Sequence, residues 1–308
     1  MKKPVILVIA GPTATGKTRL SLEISAELCG EIISADSMQL YRGMDIGTAK
    51  AAPEERGRIP HHLIDILDPH EEFSVADYVE HANAAAGDIV SRGRLPVVAG
   101  GTGLYISSFM DNIKFSRMSR DEAYRLELDA VYKEKGGEYL LSLLRKNDPQ
   151  TAAKLHENDA KRIIRALEIY KASGKTQSEW DVLSKENPSP YDFYPVLLTY
   201  SDREKLYDAI NNRVDTMMER GLLKEAEALY GRALSRTAKQ AIGYKELLEY
   251  FNGNTSLNEA VGKIKQASRR LAKRQLTWFC RDSRYKRIEV DTSGIEKIKK
   301  TIIFSIRN

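Results

Sequence analysis

The chain has 308 residues, of which 42% are hydrophobic and 30% are charged. This composition is ordinary for a soluble globular protein and argues against disorder. No stretch approaches the ~18 uninterrupted apolar residues of a spanning helix, so we expect no membrane segment. The apolar run VILVIA near the start is too short for a secretory signal. Because Cys29 and Cys280 show neither metal-ligand nor redox spacing, we expect a cytoplasmic protein.

The net charge of +5 is unevenly distributed along the chain. Ten Lys or Arg and a single acid, Asp282, lie between Lys263 and Arg287. A basic segment on an otherwise slightly acidic chain favours a polyanionic partner such as a nucleic acid. A solvated helix face is the alternative interpretation of the same charges.

Strands and helices alternate in the first third of the chain. The pattern predicts a strand over 4–10, a helix over 17–28 and a second strand ending near Asp36. HHLIDIL is a third candidate strand, residues 74–92 form a helix with Ser74 as its cap, and LPVVAGG is a short buried strand. Alternation of this kind predicts a parallel sheet.

The pattern changes between about 118 and 190 to charged, helix-periodic sequence without a clear strand. FYPVLLTY then predicts a strand that rejoins the sheet, and YKRIEV predicts an edge strand. The remaining predicted helices cover 203–230, 257–280 and 295–304. We therefore predict an α/β fold with a P-loop NTPase-like parallel sheet flanked by helices. Its core comprises 1–115 and 193–308, the latter with basic C-terminal helices, and 116–192 form an all-helical insertion.

The stretch GPTATGKT at 11–18 matches the P-loop pattern, with a strand before it and a helix after it. In such loops, backbone N–H groups and the helix N-terminus cradle phosphate groups, as in ATP-binding proteins. Lys17 adds a point charge, and the Thr18 hydroxyl is a candidate Mg²⁺ ligand. The candidate phosphate-binding residues are Gly11, Pro12, Thr13, Ala14, Thr15, Gly16, Lys17 and Thr18.

The features that a triphosphatase needs are weak or missing in the sequence. LPVVAGG ends in glycine where a Walker-B strand would end in aspartate, and Asp65 in LIDILD is only a poor substitute. No N-K-x-D motif for guanine is present. A diphosphate would therefore satisfy this loop as well as a triphosphate.

Two further segments carry polar side chains at predicted strand ends. Asp36 opens DSMQLY, and Thr102 lies within GGTGLY. The carboxyl ends of parallel strands form the edge where ligands bind in open α/β sheets. Asp36, on a strand expected beside the P-loop, could act as a general base, hold Mg²⁺ indirectly or cap the following turn.

Together, these motifs resemble the bacterial tRNA dimethylallyltransferases over nearly the whole chain. The resemblance rests on GPTATGKT, DSMQLYRGMDIGTAK, HHLIDILDP, FSVADY, VVAGGTGLY, DAKRIIRALEIY, AIGYKEL and AKRQLTWF, in that order. It implies transfer of a dimethylallyl group from its diphosphate to the exocyclic amine of the adenosine 3′ of the anticodon. The family commonly has Arg after QLTWF, whereas this chain has Cys280.

The resemblance also implies roles for individual residues. Asp36 would be the base, Thr102 would contact the bridging oxygen of the donor, and Arg213 would clamp the diphosphate. Lys17, Thr18 and Mg²⁺ would stabilise the leaving group. The implied tRNA contacts are Asp36, Ser37, Met38, Gln39, Thr102, Arg125, Lys161, Arg162, Arg165, Gln240, Gly243, Lys245, Lys273, Arg274 and Gln275.

The reaction requires an adenosine flipped out of the anticodon loop, and basic and aromatic side chains together suit such single-stranded RNA. Trp278 shares a helical spacing with Ile264 and Leu271, which predicts a place in the core. His61 and His62 are adjacent in a predicted strand and should face opposite sides of the sheet, which argues against a shared metal site.

We expect a monomer that binds the tRNA anticodon stem-loop and dimethylallyl diphosphate. A P-loop kinase and a prenyltransferase of free adenine nucleotides are the alternatives.

Overall fold

A computed structural model describes residues 2–115, 121–184 and 188–307. These residues divide into two compact units. The core unit contains the residues up to Met110 together with those from Pro190 onward, and the helical unit contains Asp111–Ser189.

The core unit is built on a six-stranded sheet with the strand order β3-β2-β4-β1-β5-β6, and every strand pair is parallel. The strands are β1 Val5–Ala10, β2 Gly30–Ala35, β3 His61–His62, β4 Leu95–Gly100, β5 Asp192–Thr199 and β6 Lys286–Glu289. Residues 6–10 of β1 are fully buried. This explains the uninterrupted apolar run, since a central parallel strand is covered on both faces. The predicted α/β fold class is confirmed.

The first four helices are α1 Lys17–Glu27, α2 Pro53–Arg58, α3 Val75–Ser91 and α4 Gly103–Met110. Ser74 caps α3 as predicted, because its side chain accepts a hydrogen bond from the backbone N–H of Asp77. Leu20 and Ile24 of α1 pack against Leu7 and Ile9 of β1 in one buried cluster.

The helical unit contains only helices among its described residues. They are α5 Glu122–Asn147, α6 Pro149–Ala152, α7 Ala160–Ser173 and α8 Gln177–Leu183. Gly136 interrupts α5 with a φ of 79°. Leu140 and Leu144 of α5 pack against Ile163 and Leu167 of α7. The parts of the predicted insertion at 116–120 and 185–187 lie outside the described residues.

The core unit ends with five helices and a 3₁₀ turn at Ala238–Gln240. The helices are α9 Arg203–Glu219, α10 Leu222–Leu229, α11 Tyr244–Phe251, α12 Leu257–Phe279 and α13 Ile295–Arg307. The single helix predicted over 203–230 is therefore wrong. It breaks at Gly221, whose φ of 101° belongs to the left-handed region that favours glycine.

Two other expectations about the sheet are also wrong. HHLIDIL forms a strand only at His61–His62, because Leu63 and Asp65 have φ values of 61° and 55° that end the extended run. The strand that leads to Asp36 does not lie beside the P-loop strand, since β4 pairs with both β2 and β1. The sheet edge at the carboxyl ends nevertheless holds all three strand ends side by side.

A buried carboxylate stabilises β2 at its start. The side chain of Glu31 is 2% exposed and pairs with Arg92, with Arg94 at 2.9 Å and with His62 at 2.7 Å. The hydrogen bond from Arg92 is the main reason that the pKa of Glu31 falls from 4.5 to about 2. The folded state therefore binds the Glu31 proton less tightly than the unfolded chain does.

We predict that Glu31→Gln lowers the free energy of unfolding by about 1–3 kcal/mol near pH 7, because it removes the charge of a buried carboxylate that accepts hydrogen bonds from the partly exposed Arg92 and Arg94. The pKa of this carboxyl is depressed in the folded state. Its contribution is therefore complete above pH 4.5 and disappears as the pH falls toward about 2. Urea unfolding at several pH values measures the difference between wild type and variant.

Glu219→Gln is the matched control, since Glu219 is exposed at the end of α9. It should change the free energy of unfolding by less than ~0.5 kcal/mol. A difference between wild type and Glu31→Gln that is the same at pH 7 and pH 3 would contradict the assigned role of Glu31.

Candidate active site

A cavity of about 510 Å³ lies in the core unit at the carboxyl ends of β1, β2 and β4. Its lining contains a P-loop lysine, the two polar residues predicted at strand ends, an arginine of α9 and two side chains of α12. These residues are Lys17, Asp36, Thr102, Arg213, Gln275 and Trp278. The sheet thus brings together residues from five separate parts of the chain.

The P-loop adopts a conformation that its glycines make possible. Gly16 has a φ of 79°, and a Cβ atom at Gly11 would lie 2.5 Å from the carbonyl oxygen of Leu198. The Thr15 hydroxyl donates to the Pro12 carbonyl at 2.9 Å, which closes the loop on itself. Since α1 begins at Lys17, its positive N-terminal end faces the cavity that Thr13 and Thr18 also line. The loop therefore has the structure of an anion site.

The ammonium group of Lys17 is held in a poorly solvated position. Burial, followed by the charge of Arg213, lowers the pKa of Lys17 from 10.5 to about 7, and the charge of Asp36 opposes this change. The Nζ atom donates to the carbonyl oxygen of Pro12 at 2.6 Å. An anion placed between Lys17 and Arg213 would relieve the repulsion between the two cations.

Arg213 belongs to the cavity and not to a solvated face of α9. Its side chain lines the cavity together with Val214 and Met217 of the same helix. Burial lowers the pKa of Arg213, and the charge of Asp36 opposes this change. Because a guanidinium group stays protonated in proteins, Arg213 supplies a permanent positive charge opposite the P-loop.

The ends of β2 and β4 are joined by hydrogen bonds. The backbone N–H of Thr102 donates to the Ala35 carbonyl at 3.0 Å, and the Thr102 hydroxyl accepts from the backbone N–H of Ser37 at 3.0 Å. One carboxylate oxygen of Asp36 accepts from the backbone N–H of Met38 at 2.9 Å. Asp36 therefore caps the following turn, and its position in the cavity wall also leaves it available to a ligand.

Gln39 secures the segment that follows β2. Its side-chain oxygen accepts from the Ser34 hydroxyl at 2.9 Å, and its amide nitrogen donates to the Thr48 carbonyl at 3.1 Å. Lys50 is almost fully buried and pairs with Asp45 at 2.7 Å and Asp65 at 2.5 Å. Asp65 is therefore a structural partner of Lys50. It does not lie at the end of a strand beside β1, where a Walker-B carboxylate would be.

Glu225 of α10 holds the same segment from the other side, and the sequence analysis missed it. Its carboxylate accepts from the backbone N–H groups of Asp45, Ile46 and Gly47 at 2.8–3.0 Å. The Tyr244 hydroxyl also donates to it at 2.5 Å. Burial, with the hydrogen bond to Glu225 next, raises the pKa of that tyrosine. Gly47, Thr48 and Ala49 of this segment form part of the cavity wall.

Helix α12 contributes one side of the cavity. The amide of Gln275 accepts from the backbone N–H of Thr13 at 3.1 Å and donates to the Gly101 carbonyl at 3.0 Å. The expectation that Trp278 packs in the core is wrong: the residue is 41% exposed and lines the cavity, where its ring lies beside Gly103. Phe279 takes the buried position instead, at 1% exposure. Helical spacing identified the apolar face of α12 but did not show that this face also borders a cavity.

The basic residues of α12 from Lys265 onward fall into two groups. Lys265 pairs with Asp215 at 2.6 Å, and Arg269 donates to the Asn211 side chain at 2.6 Å, so both are engaged with α9. Arg270, Lys273 and Arg274 are exposed, and Arg274 also borders the cavity. The exposed group is the part of this segment that can meet phosphates.

The other predicted RNA contacts of the core unit lie near the cavity or on the surface. Gln240 and Gly243 line the cavity, as do Ser37 and Met38, and Lys245 is exposed. Cys280, where the family commonly has Arg, is exposed, and its carbonyl accepts from Arg287 at 2.8 Å.

In the helical unit, the predicted RNA contacts differ in their availability. Lys161 and Arg162 are exposed at the start of α7. Arg125 forms a two-point ion pair with the buried Glu168, at 3.0 and 2.6 Å, and Arg165 approaches the same carboxylate at 3.5 Å. That pairing raises the pKa of Arg125. It gives Arg125 a structural function within this unit.

The cavity suits Mg²⁺ only when phosphates complete its ligands. The described residues contain no group of three His, Cys, Asp or Glu side chains that could hold a metal. His61 and His62 bind different partners, the Ile59 carbonyl and Glu31. Thr18 and Asp36 both line the cavity. Since Mg²⁺ is often bound by one or two protein groups, water and substrate phosphates, these residues fit the ion.

Comparisons with known proteins give a consistent result. The IPP transferase family model matches residues 39–282, and the isopentenyl transferase model matches residues 4–61. The chain is 46% identical over 299 residues to a tRNA dimethylallyltransferase of Carboxydothermus hydrogenoformans, covering 97% of this chain and 96% of that one. It is 51% identical over 276 residues to one of Acetivibrio thermocellus, covering 89% and 88%.

A solved structure agrees with these relatives. The tRNA isopentenylpyrophosphate transferase of Bacillus halodurans superposes with a TM-score of 0.71 at 44% identity, covering 99% of this chain and 97% of that one. The chain belongs to the tRNA dimethylallyltransferase family. Its sheet is the P-loop-like sheet of that family, and the chain is a prenyl-transferring enzyme. Among the described residues, every helix is too short or too polar to span a lipid bilayer.

We predict that binding of inorganic pyrophosphate takes up a proton through Lys17. The pKa of this lysine is about 7 in the free protein, and a bound anion raises it. At pH 8, wild type should therefore take up nearly one proton more than Lys17→Met, and wild-type affinity should fall as the pH rises above 7. Calorimetry in two buffers of different ionisation enthalpy measures the proton count.

Lys297→Met is the matched control, because Lys297 is exposed on α13. It should bind pyrophosphate with the wild-type proton uptake. Equal proton uptake by wild type and Lys17→Met would show that Lys17 does not titrate with the anion.

Proposed function

We propose that the enzyme transfers the dimethylallyl group of dimethylallyl diphosphate to the exocyclic amino nitrogen of the adenosine 3′ of the anticodon in tRNA. The observation that supports this reaction best is the composition of the cavity at the carboxyl ends of β1, β2 and β4. Two cations, Lys17 and Arg213, face one carboxylate, Asp36, across a space partly lined by apolar side chains. A diphosphate, a short alkyl group and a nucleophilic amine together match these three kinds of surface.

The leaving group governs the first half of the reaction. The bond between the allylic carbon and the bridging oxygen breaks, and the bonding electrons leave with the diphosphate. Lys17, Arg213 and the P-loop N–H groups stabilise the charge that develops on it. Thr102 is the hydroxyl assigned to the bridging oxygen. Thr18, with Asp36 at longer range, would hold Mg²⁺, which when bound neutralises part of the diphosphate charge.

The nucleophile governs the second half. The exocyclic amine of adenosine is a weak nucleophile because its lone pair is delocalised into the ring. Asp36 accepts the proton that this nitrogen loses as the new carbon–nitrogen bond forms. The turn hydrogen bond from Met38 uses one oxygen of Asp36 and fixes the carboxylate, so the second oxygen can face the amine.

Apolar side chains give the alkyl group its place and limit access of water. Val214, Met217 and Leu222 line the cavity from α9 and α10, and Ala241 and Ile242 line it from the segment before α11. Exclusion of water matters because an ionising allylic group would otherwise be hydrolysed. The partly exposed Trp278 ring offers a flat surface for a flipped base.

The two alternatives fit the cavity less well. A kinase of this type needs a carboxylate at the end of a strand beside β1, but β4 ends at Gly100 and β5 ends at Thr199. A prenyltransferase of free adenine nucleotides needs no basic helix, whereas Arg270, Lys273 and Arg274 are exposed on α12.

The direct test supplies labelled dimethylallyl diphosphate, Mg²⁺ and unmodified tRNA. Label should enter the RNA at the adenosine 3′ of the anticodon, with one diphosphate released for each group transferred. Separate reactions with AMP or ADP as acceptor, and with ATP as a phosphoryl donor, examine the alternatives. Preferred labelling of a free nucleotide, or robust hydrolysis of ATP, would contradict the proposed reaction.

We predict that Asp36→Asn slows transfer by about 10²–10⁴ with saturating substrates, the usual range for loss of a general base. The amide preserves the shape and the turn hydrogen bond from Met38, so both substrates should still bind. Single-turnover rates and binding constants measure the two effects separately. Near-normal turnover would leave Asp36 with a structural role alone. Asp208→Asn, on α9 and outside the cavity lining, is the matched control.

We predict that Arg270→Ala with Arg274→Ala weakens tRNA binding and flattens its dependence on salt. Each lost phosphate contact should reduce the slope of log affinity against log salt by about one unit. Titrations of tRNA at several salt concentrations measure this slope. The control replaces Lys297 and Lys300, two exposed cations of α13, with alanine. An unchanged slope in the α12 variant would make its arginines a solvated face.

A further inference from the structure

The family resemblance implies that Gln275 contacts tRNA. Its side chain, however, is directed into the protein. Its amide bridges two backbone segments of the cavity that are distant in sequence. The oxygen accepts from Thr13 in the P-loop at 3.1 Å, and the nitrogen donates to Gly101 after β4 at 3.0 Å. Both hydrogen-bonding ends of the amide are thus engaged with the diphosphate side of the cavity.

The surrounding contacts show that α12 supports both segments. Leu276 and Ala272 of α12 pack in one apolar cluster with Ala14 of the P-loop. On the other side, a Cβ atom at Gly101 would lie 2.2 Å from the Gln275 amide nitrogen, and one at Gly103 would lie 2.3 Å from the Trp278 ring. Thr102 therefore lies between two glycines that are each covered by a side chain of α12.

We propose that Gln275 is a positioning residue of the diphosphate site. It fixes the P-loop at Thr13 relative to Thr102, so that the N–H groups of the loop and the Thr102 hydroxyl address the same diphosphate. This role rests on the proposed function of the cavity. It differs from the tRNA contact that the resemblance implies for Gln275, because it predicts an effect on anion binding when no RNA is present.

The test measures the affinity of the full chain for inorganic pyrophosphate in Mg²⁺ buffer, without RNA. Gln275→Met keeps the length of the side chain and removes both hydrogen bonds. We expect it to weaken pyrophosphate binding about 10- to 30-fold, as loss of two neutral hydrogen bonds implies. Its tRNA affinity should stay within about twofold of wild type. Gln266→Met makes the same substitution at an exposed position of α12 and should change neither affinity.

Gly101→Ala provides a second variant that retains Gln275. The added Cβ would displace the Gln275 amide, since the two atoms would lie 2.2 Å apart. It should therefore weaken pyrophosphate binding to a similar degree, and the double variant should be little worse than either single one. Additive losses would contradict a shared mechanism. Lys273→Ala is the converse case and should weaken tRNA binding without changing pyrophosphate affinity.

Three outcomes would overturn the proposal. Weaker tRNA binding with unchanged pyrophosphate affinity would make Gln275 a direct RNA contact. Equal loss of both affinities, together with a lower melting temperature, would indicate a general structural role. Unchanged affinities would show that the bridge does not matter. The pyrophosphate-binding assay contains no prenyl donor, so its result does not depend on the transfer reaction. Absence of prenyl transfer to tRNA would contradict the proposed function, and the binding assay would still test the role of Gln275.

Discussion

Two positive charges that repel each other in the poorly solvated wall of the cavity are the constraint on which the proposed active site depends. Burial removes solvation from both Lys17 and Arg213. The pKa of Lys17 is lowered mainly by this burial and further by repulsion from the charge of Arg213. Asp36 offsets this only in part, since the pKa of Lys17 still lies near 7. The arrangement is stable in its charged form when an anion lies between the cations. The cavity is therefore prepared for a multiply charged group before any substrate arrives.

Keeping such charges in place requires rigid supports that carry their own buried polar groups. The segment after β2 has three: Gln39 from within, Lys50 beneath it and Glu225 from α10. In each case the polar atoms that the fold buries are paired, as they must be to avoid a large desolvation cost. Gly47 allows the Tyr244 ring to pack against this segment, because a Cβ atom at Gly47 would lie 2.6 Å from that ring. The glycine in DIGTAK thus reflects packing and not turn geometry.

The parts of the site that could be predicted from sequence are those built from neighbouring residues. The P-loop needs a strand, a glycine-containing turn and a helix in immediate succession, so its structure follows from local geometry. Ser74 as a helix cap is local in the same sense. The bridge from Thr13 to Gln275 spans 262 positions, and the bond from Glu225 to Ile46 spans 179, so no spacing could indicate them. The position of β4 between β1 and β2 also cannot be predicted from neighbouring residues, because it depends on the path of the chain through α3.

Trp278 shows why helical spacing alone gives an incomplete answer. Its spacing from Ile264 and Leu271 correctly assigns it to the face of α12 that turns toward the protein. That face, however, passes from the core to the cavity along its length: Ile264 is 1% exposed and Trp278 is 41% exposed. All three residues line the cavity, so the same apolar stripe both packs in the core and forms part of the cavity wall. A helix that forms the wall of a cavity has the periodicity of a core helix, and only its neighbours distinguish the two.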